Sequence, residues 1–315
     1  MKHSAIIGKV RNNFLITFFV ITSSLTLLLK EKGTALHFTE LNKSIIQFSE
    51  SVKLHFTSLR KSSIVPFSFR RRVRDEVTIP KSSKYVTTDK LNQIYLVTPN
   101  DELIKYSAEG QELFHFHDRT LGEITYIDAT NPFQILVFFE DFQTIVWLDR
   151  TLNPISTINL SHFEFFQINT LAVSSDNHLW IYDNTTFQLK KINNQGQVLI
   201  ESNELNALID DLNPNFLIEK NNRIYLNNPE TGILVFDNFG QFLQIIAITN
   251  LSNFQIINNQ LFYQKERTFH TFHFQTLDKK RLNLPFEIGK NEIVFTQKNY
   301  WFLVRENEVV IFDKL

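Results

Sequence analysis

The sequence predicts an all-β fold: a six-bladed β-propeller of four-stranded antiparallel blades, its ring closed by the N-terminal strand of the domain and preceded by a hydrophobic, helical leader. Two observations carry this. Short aromatic and β-branched bursts recur about every 40 residues from position 77 onward, the spacing at which one four-stranded blade follows another. The composition agrees, with 31 Phe against 8 Gly and 1 Met in 315 residues, because bulky, stiff side chains suit packed sheets better than a helical bundle.

Taken in chain order, residues 1–33 come first. Lys2, Lys9 and Arg11 precede an uncharged run from Asn12 to Leu29 rich in Phe, Ile and Leu. A basic region followed by an apolar one reads as an export signal, and the length of the run also suits an uncleaved membrane anchor. Lys30, Glu31 and Lys32 follow at once, with no A-x-A cleavage site.

Residues 34–75 read as a basic linker, part helical in the stretch LNKSIIQFSESVKLHFTSL. The cluster FRRRVR supplies Arg70, Arg71, Arg72 and Arg74, which suits contact with anionic lipid or nucleic acid or, more simply, a solvated linker. Residues 1–76 hold 13 basic and 5 acidic residues and the remainder 19 and 28. A net charge of -1 thus conceals a basic leader and an acidic body, and the body's sign disfavours nucleic acid as a partner.

Residues 76–315 form the propeller. The bursts IYLV, ILVFF, LWIY, IYL, LFY and WFLV begin at Ile94, Ile135, Leu179, Ile224, Leu261 and Trp301, and they are the second strands of six blades, apolar on both faces because neighbouring blades sandwich them. In the third blade TLAVS is the inner strand, LWIY the second, FQLKKI the third and QVLI the outer edge, with polar turns between. Gln188 and Lys190 alternating with Leu189 and Lys191 mark the outer strands as increasingly polar. The last blade ends at NEVVIFDKL with no fourth strand, while VTIP at 77–80 has nothing before it to pair with. That segment is therefore expected to become the outer strand of the last blade and close the ring.

The blade pattern, a polar turn and then [IL]-[YW]-[LI], followed by LIKYSAEGQELF, LKKINNQGQVLI or ILVFDNFGQFLQII, resembles the NHL-type six-bladed propellers. It is also similar to exported propeller proteins of Bacteroidetes. The resemblance covers residues 77–315 and implies a fold far more than an activity.

Chemistry is sparse. G-x-S-x-G, Walker A, G-x-G-x-x-G and H-E-x-x-H are all absent, and zero Cys excludes disulfides, thiolate metal sites and a cysteine nucleophile. His115 and His117 share a strand face beside Asp118, whereas His270 and His273 fall on opposite faces. Glu123, Asn169, Asn215, Asn253 and Glu292 stand just before inner strands, so a ring of oxygen donors at the channel mouth is a candidate Ca²⁺ site, similar to that of calcium-dependent six-bladed lactonases. The turns between second and third strands lie on the same face and supply Glu140, Asp141, Phe142, Asp183, Glu230 and Arg305, a mixed acidic and aromatic surface suited to a protein or glycan. The expectation is an exported, monomeric, non-catalytic binding module needing no cofactor. A calcium-dependent hydrolase or lactonase built on the mouth ring is the alternative.

Overall fold

A computed structural model describes residues 76–314. The expected export signal or anchor (1–33) and the expected linker (34–75) lie outside them. Among the described residues there is no α-helix, and no helix long and apolar enough to cross a membrane.

The strands form six four-stranded antiparallel sheets in sequence order. The first blade is β2 (Tyr85–Thr88), β3 (Ile94–Val97), β4 (Leu103–Tyr106) and β5 (Glu112–Phe116); the second is β6 (Tyr126–Asp128), β7 (Gln134–Phe139), β8 (Thr144–Asp149) and β9 (Pro154–Asn159). β10 (Ile168–Val173), β11 (Leu179–Asp183), β12 (Gln188–Ile192) and β13 (Val198–Glu201) make the third; β14 (Phe216–Lys220), β15 (Arg223–Asn228), β16 (Gly232–Asp237) and β17 (Phe242–Ile246) the fourth. The fifth is β18 (Gln255–Ile257), β19 (Gln260–Lys265), β20 (Thr268–His273) and β21 (Lys279–Leu282). In the sixth, β22 (Ile293–Thr296), β23 (Tyr300–Val304) and β24 (Val309–Asp313) are completed by β1 (Glu76–Ile79), which pairs antiparallel with β24 from Glu76 opposite Phe312 to Ile79 opposite Val309. The expected closure is thus present.

The repeated x-x-G-Q of the sequence has a local physical cause. At the turns from third to fourth strand, Ser107, Asn193 and Asp237 accept the N–H of the residue two positions on through their side chains, and again the N–H of the Gln that follows the glycine. Gly110, Gly196 and Gly240 take the left-handed conformation that this tight turn needs, and each is followed by a bulge in the strand pair. The second blade builds the same turn on Asp149 with Leu152 in the left-handed position.

Burial places the core between blades. Six hydrophobic clusters fill the six seams around the ring, one of them closing the sixth blade onto the first through Ile79, Val86, Ile94, Phe302 and Val309. Glutamine amides stitch the seams. Gln143 bonds both the N–H and C=O of Ile168 at 2.9 Å, Gln255 does the same for Thr296, and Gln264 bridges the C=O of Glu292 and the N–H of Val294.

One expectation is corrected. Lys190 and Lys191 are not on a polar outer surface; both are buried on the third strand, which is covered from both sides as the second is. Lys190 donates to Asp183 and Lys191 to Asp176, each at 2.7 Å, and their ammonium groups stand over the rings of Phe165 and Trp180. Exposure rises only at the fourth strand, whose residues are largely exposed whether polar or apolar.

Candidate binding faces and the central channel

The face where inner strands begin carries both predicted residue sets. Within the proposed oxygen ring, Asn169 and Asn215 act as ties between blades: their amides donate to the carbonyls of Pro214 and Leu251, each in the segment leading into the next blade. Asn169 lies within β10, at the irregularity between Ile168 and Thr170. Asn215 also accepts a 2.6 Å bond from Asn227. Glu292 is held by the Arg305 guanidinium at 3.1 Å and the Gly289 N–H at 2.6 Å, and the exposed Glu123 stands 3.4 Å from the Lys84 ammonium. Asn253 lines the central channel. The amide oxygens of Asn169 and Asn227 are buried without a partner. Among the described residues no three His, Asp or Glu side chains come together as a metal-binding group; His117 instead contacts the Asp101 carbonyl and Arg119, and Asp118 bonds Thr120.

The six predicted partner-binding residues divide. Glu140, Asp141 and Phe142 stand together on the β7–β8 turn, where Phe142 is 52% exposed and burial, reinforced by Asp141, raises the pKa of Glu140. Glu230 is exposed on the β15–β16 turn. Asp183 faces inward: burial acts to raise its pKa, but the Lys190 ammonium and the Thr185 N–H outweigh it and hold the carboxyl below its usual range. Arg305 bonds Glu308 and Glu292, and both pairings, led by the bond to Glu308, raise its pKa.

The structure adds to this face residues that the sequence reading missed. Phe166, 60% exposed, and Phe187 lie in the segments leading into β10 and β12, on the same face as Phe142 and around the second and third blades. Glu164 lies on the connection from the second to the third blade, and Glu204, Asp210 and Asp211 on that from the third to the fourth; these connections and turns contain no Lys or Arg. Phe187, Ile209, Asp210 and Asp211 line a surface groove of about 480 Å³. The signal in the sequence was the absence of basic residues from 140–143, 160–167, 184–187 and 202–215.

A second concave site lies on the axis. A channel cavity of about 350 Å³ runs between two unlike ends. At the end where inner strands begin, Tyr85, Tyr126, Phe216 and Phe254 form a chain of edge-to-face rings with centroid separations of 6.4, 6.3 and 5.0 Å. Burial, with the Asp128 charge nearby, pushes the pKa values of Tyr85 and Tyr126 up, so both remain phenols. At the opposite end, where inner strands turn into second strands, the lining is Thr87, Lys90, Thr130, Lys220, Asn258 and Gln297 together with Asp89 and Asp128. Both acids are directed into the protein: Asp89 accepts from the N–H groups of Leu91 and Gln93 and from the Tyr95 hydroxyl, and Asp128 accepts from the N–H groups of Thr130 and Val173.

No protein-family model matches the chain, and no characterised protein matches it in sequence. Solved structures do. A streptogramin B lyase superposes with a TM-score of 0.50 at 11% identity over 76% of this chain and 88% of that one. The extracellular domain of a putative hybrid two-component system from B. thetaiotaomicron gives 0.50 at 11% identity, over 72% of this chain and 33% of the other. A virginiamycin B lyase from Staphylococcus aureus gives 0.49 at 10% identity, over 73% and 80%. At such identities the likeness bears on architecture, and it agrees with the propeller built from the strands above.

Proposed function

We propose that this chain is an exported, monomeric binding module without catalysis, which captures a protein or glycan on the face where inner strands begin. The observation that carries this reading is the presence of exposed aromatics on acidic turns of one face at blades two and three: Phe142 and Phe166 are more than half exposed, next in sequence or nearly so to Glu140, Asp141 and Glu164. Solvated turns do not need large apolar side chains, whereas interface anchors do. The basic and apolar leader supports delivery across or into a membrane, and the resemblance of residues 77–315 to exported propeller proteins of Bacteroidetes is in keeping with it. The test is cross-linking capture by the full chain and by a Phe142→Ala/Phe166→Ala variant, alongside a screen of lactones and esters. A partner lost in the variant, with no turnover, supports the reading; turnover in the screen overturns it.

The unpartnered amide oxygens of Asn169 and Asn227 favour a second reading, a calcium-dependent hydrolase or lactonase whose ion sits at the mouth ring. Native mass spectrometry with Ca²⁺ and after chelation tests it. A stoichiometric ion lost on Glu292→Gln supports it, and absence of an ion removes it.

A further inference from the structure

The axial cavity has the size of a small-molecule site and a polarity gradient along its length. Its aromatic end offers apolar surface from Tyr85, Tyr126, Phe216 and Phe254. At the turn end the question is which hydrogen-bonding groups remain free for a ligand. The Asp89 and Asp128 oxygens are already bonded within the protein, and both residues are almost wholly buried. Among the described residues, the Lys90 and Lys220 ammonium groups form no ion pair, and the Asn258 amide bonds no other side chain. The cavity therefore offers two ammonium donors without an ion-pair partner and no unbonded carboxylate, which favours an anion over a cation.

We propose that the axial cavity binds a small organic monoanion with a flat apolar or aromatic body, its carboxylate held by Lys90 and Lys220 and its body resting on the aromatic chain. The Tyr126 hydroxyl, kept protonated by burial, supplies a further donor along the channel. Lysine suits this role as a compact point charge at a wet opening, while the apolar floor favours ligands that bring little water with them. The site is independent of the proposed partner face, because its ligand enters where the first-to-second strand turns lie, at the other end of the axis.

The experiment is isothermal titration calorimetry of the full chain with indole-3-acetate and phenylacetate, using indole-3-acetamide and glucuronate as comparators. At least one of the two aromatic carboxylates is expected to bind one to one, about tenfold more tightly than the neutral amide, and to weaken as salt is raised. In Lys90→Gln/Lys220→Gln that preference is expected to vanish while amide binding stays the same; both lysines are at least partly exposed, so the fold is not at risk. Tyr126→Phe, which keeps the ring, should weaken the carboxylate a few-fold. The proposal is overturned if neither aromatic carboxylate binds, if the amide binds equally well, if glucuronate matches them, or if the lysine variant behaves as the parent.

Discussion

The carboxylate of Glu219 on β14 accepts the indole N–H of Trp180 on β11 at 2.7 Å, joining the fourth blade to the third. The same carboxylate takes the hydroxyls of Ser174 and Ser175 and the Ser175 N–H. Burial alone would raise its pKa, but these four donors outweigh burial and hold the group below its ordinary value. A depressed folded-state pKa contributes stability that is present above the unfolded value near 4.3 and lost as pH falls through the folded one. Glu219→Gln, which keeps the shape and removes the charge, is expected to cost about 2 kcal/mol at neutral pH, or roughly 4–8 °C in Tm for a domain of this size. The gap from the parent should narrow as pH falls below about 4. Thermal melts across pH 3–7 check both, and an equal Tm at pH 7 would show that the tie contributes nothing.

Asp183 and Lys190 form the best-buried ion pair, with side chains 6% and 9% exposed and 2.7 Å between charges. Removing one partner strands the other charge. Asp183→Ala is expected to destabilise by about 3–5 kcal/mol, whereas Asp183→Asn combined with Lys190→Met recovers most of that loss. Chemical denaturation of the three proteins decides it; a double variant no better than Asp183→Ala would mean that the pair is replaceable only by itself.

Glycine is needed at Gly196 for two separate reasons. Its φ of +74° is one that residues other than glycine rarely adopt, and an added Cβ would lie 2.0 Å from the Phe163 ring. At Gly240 φ is similar, at +77°, but the nearest atom is the Ile200 Cγ2 at 3.1 Å. Gly240→Ala is therefore expected to cost about 1 kcal/mol from backbone strain, and Gly196→Ala clearly more. Paired melting curves test this order, and equal losses would place the whole cost in the backbone.

Blade number, strand order and ring closure were all legible in the sequence, because each rests on local signals: apolar second strands repeated six times, side-chain-capped polar turns in the first four blades, and an unpaired strand at the start matched by a missing fourth strand at the end. The site was less so. Tyr85, Tyr126, Phe216 and Phe254 read as ordinary core letters, and only the closed ring turns them toward one axis. Lys190 and Lys191 read as surface because their partners Asp183 and Asp176 lie across turns, at distances in sequence that no periodicity encodes. Asn169 and Asn215 were recognised as standing at the start of inner strands. Their bonds to Pro214 and Leu251 depend on how adjacent blades dock, which composition does not record.

Closure by β1 yields the last prediction. Ile79 is 2% exposed in the seam between the sixth and first blades, and a Cβ on Gly110 would lie 2.7 Å from Val77 Cγ1. The closing strand thus also touches the turn of the first blade. Ile79→Ala in the full chain is expected to cost about 2–4 kcal/mol, and deletion of 76–80 more, because it exposes the edge of β24 together with its unpaired backbone groups. Hydrogen exchange should then show protection lost first at β24 and β23, with the third blade, opposite the break, retaining it longest. Uniform loss around the ring would mean that the blades unfold as one unit, and unchanged protection at β24 would refute closure by this strand.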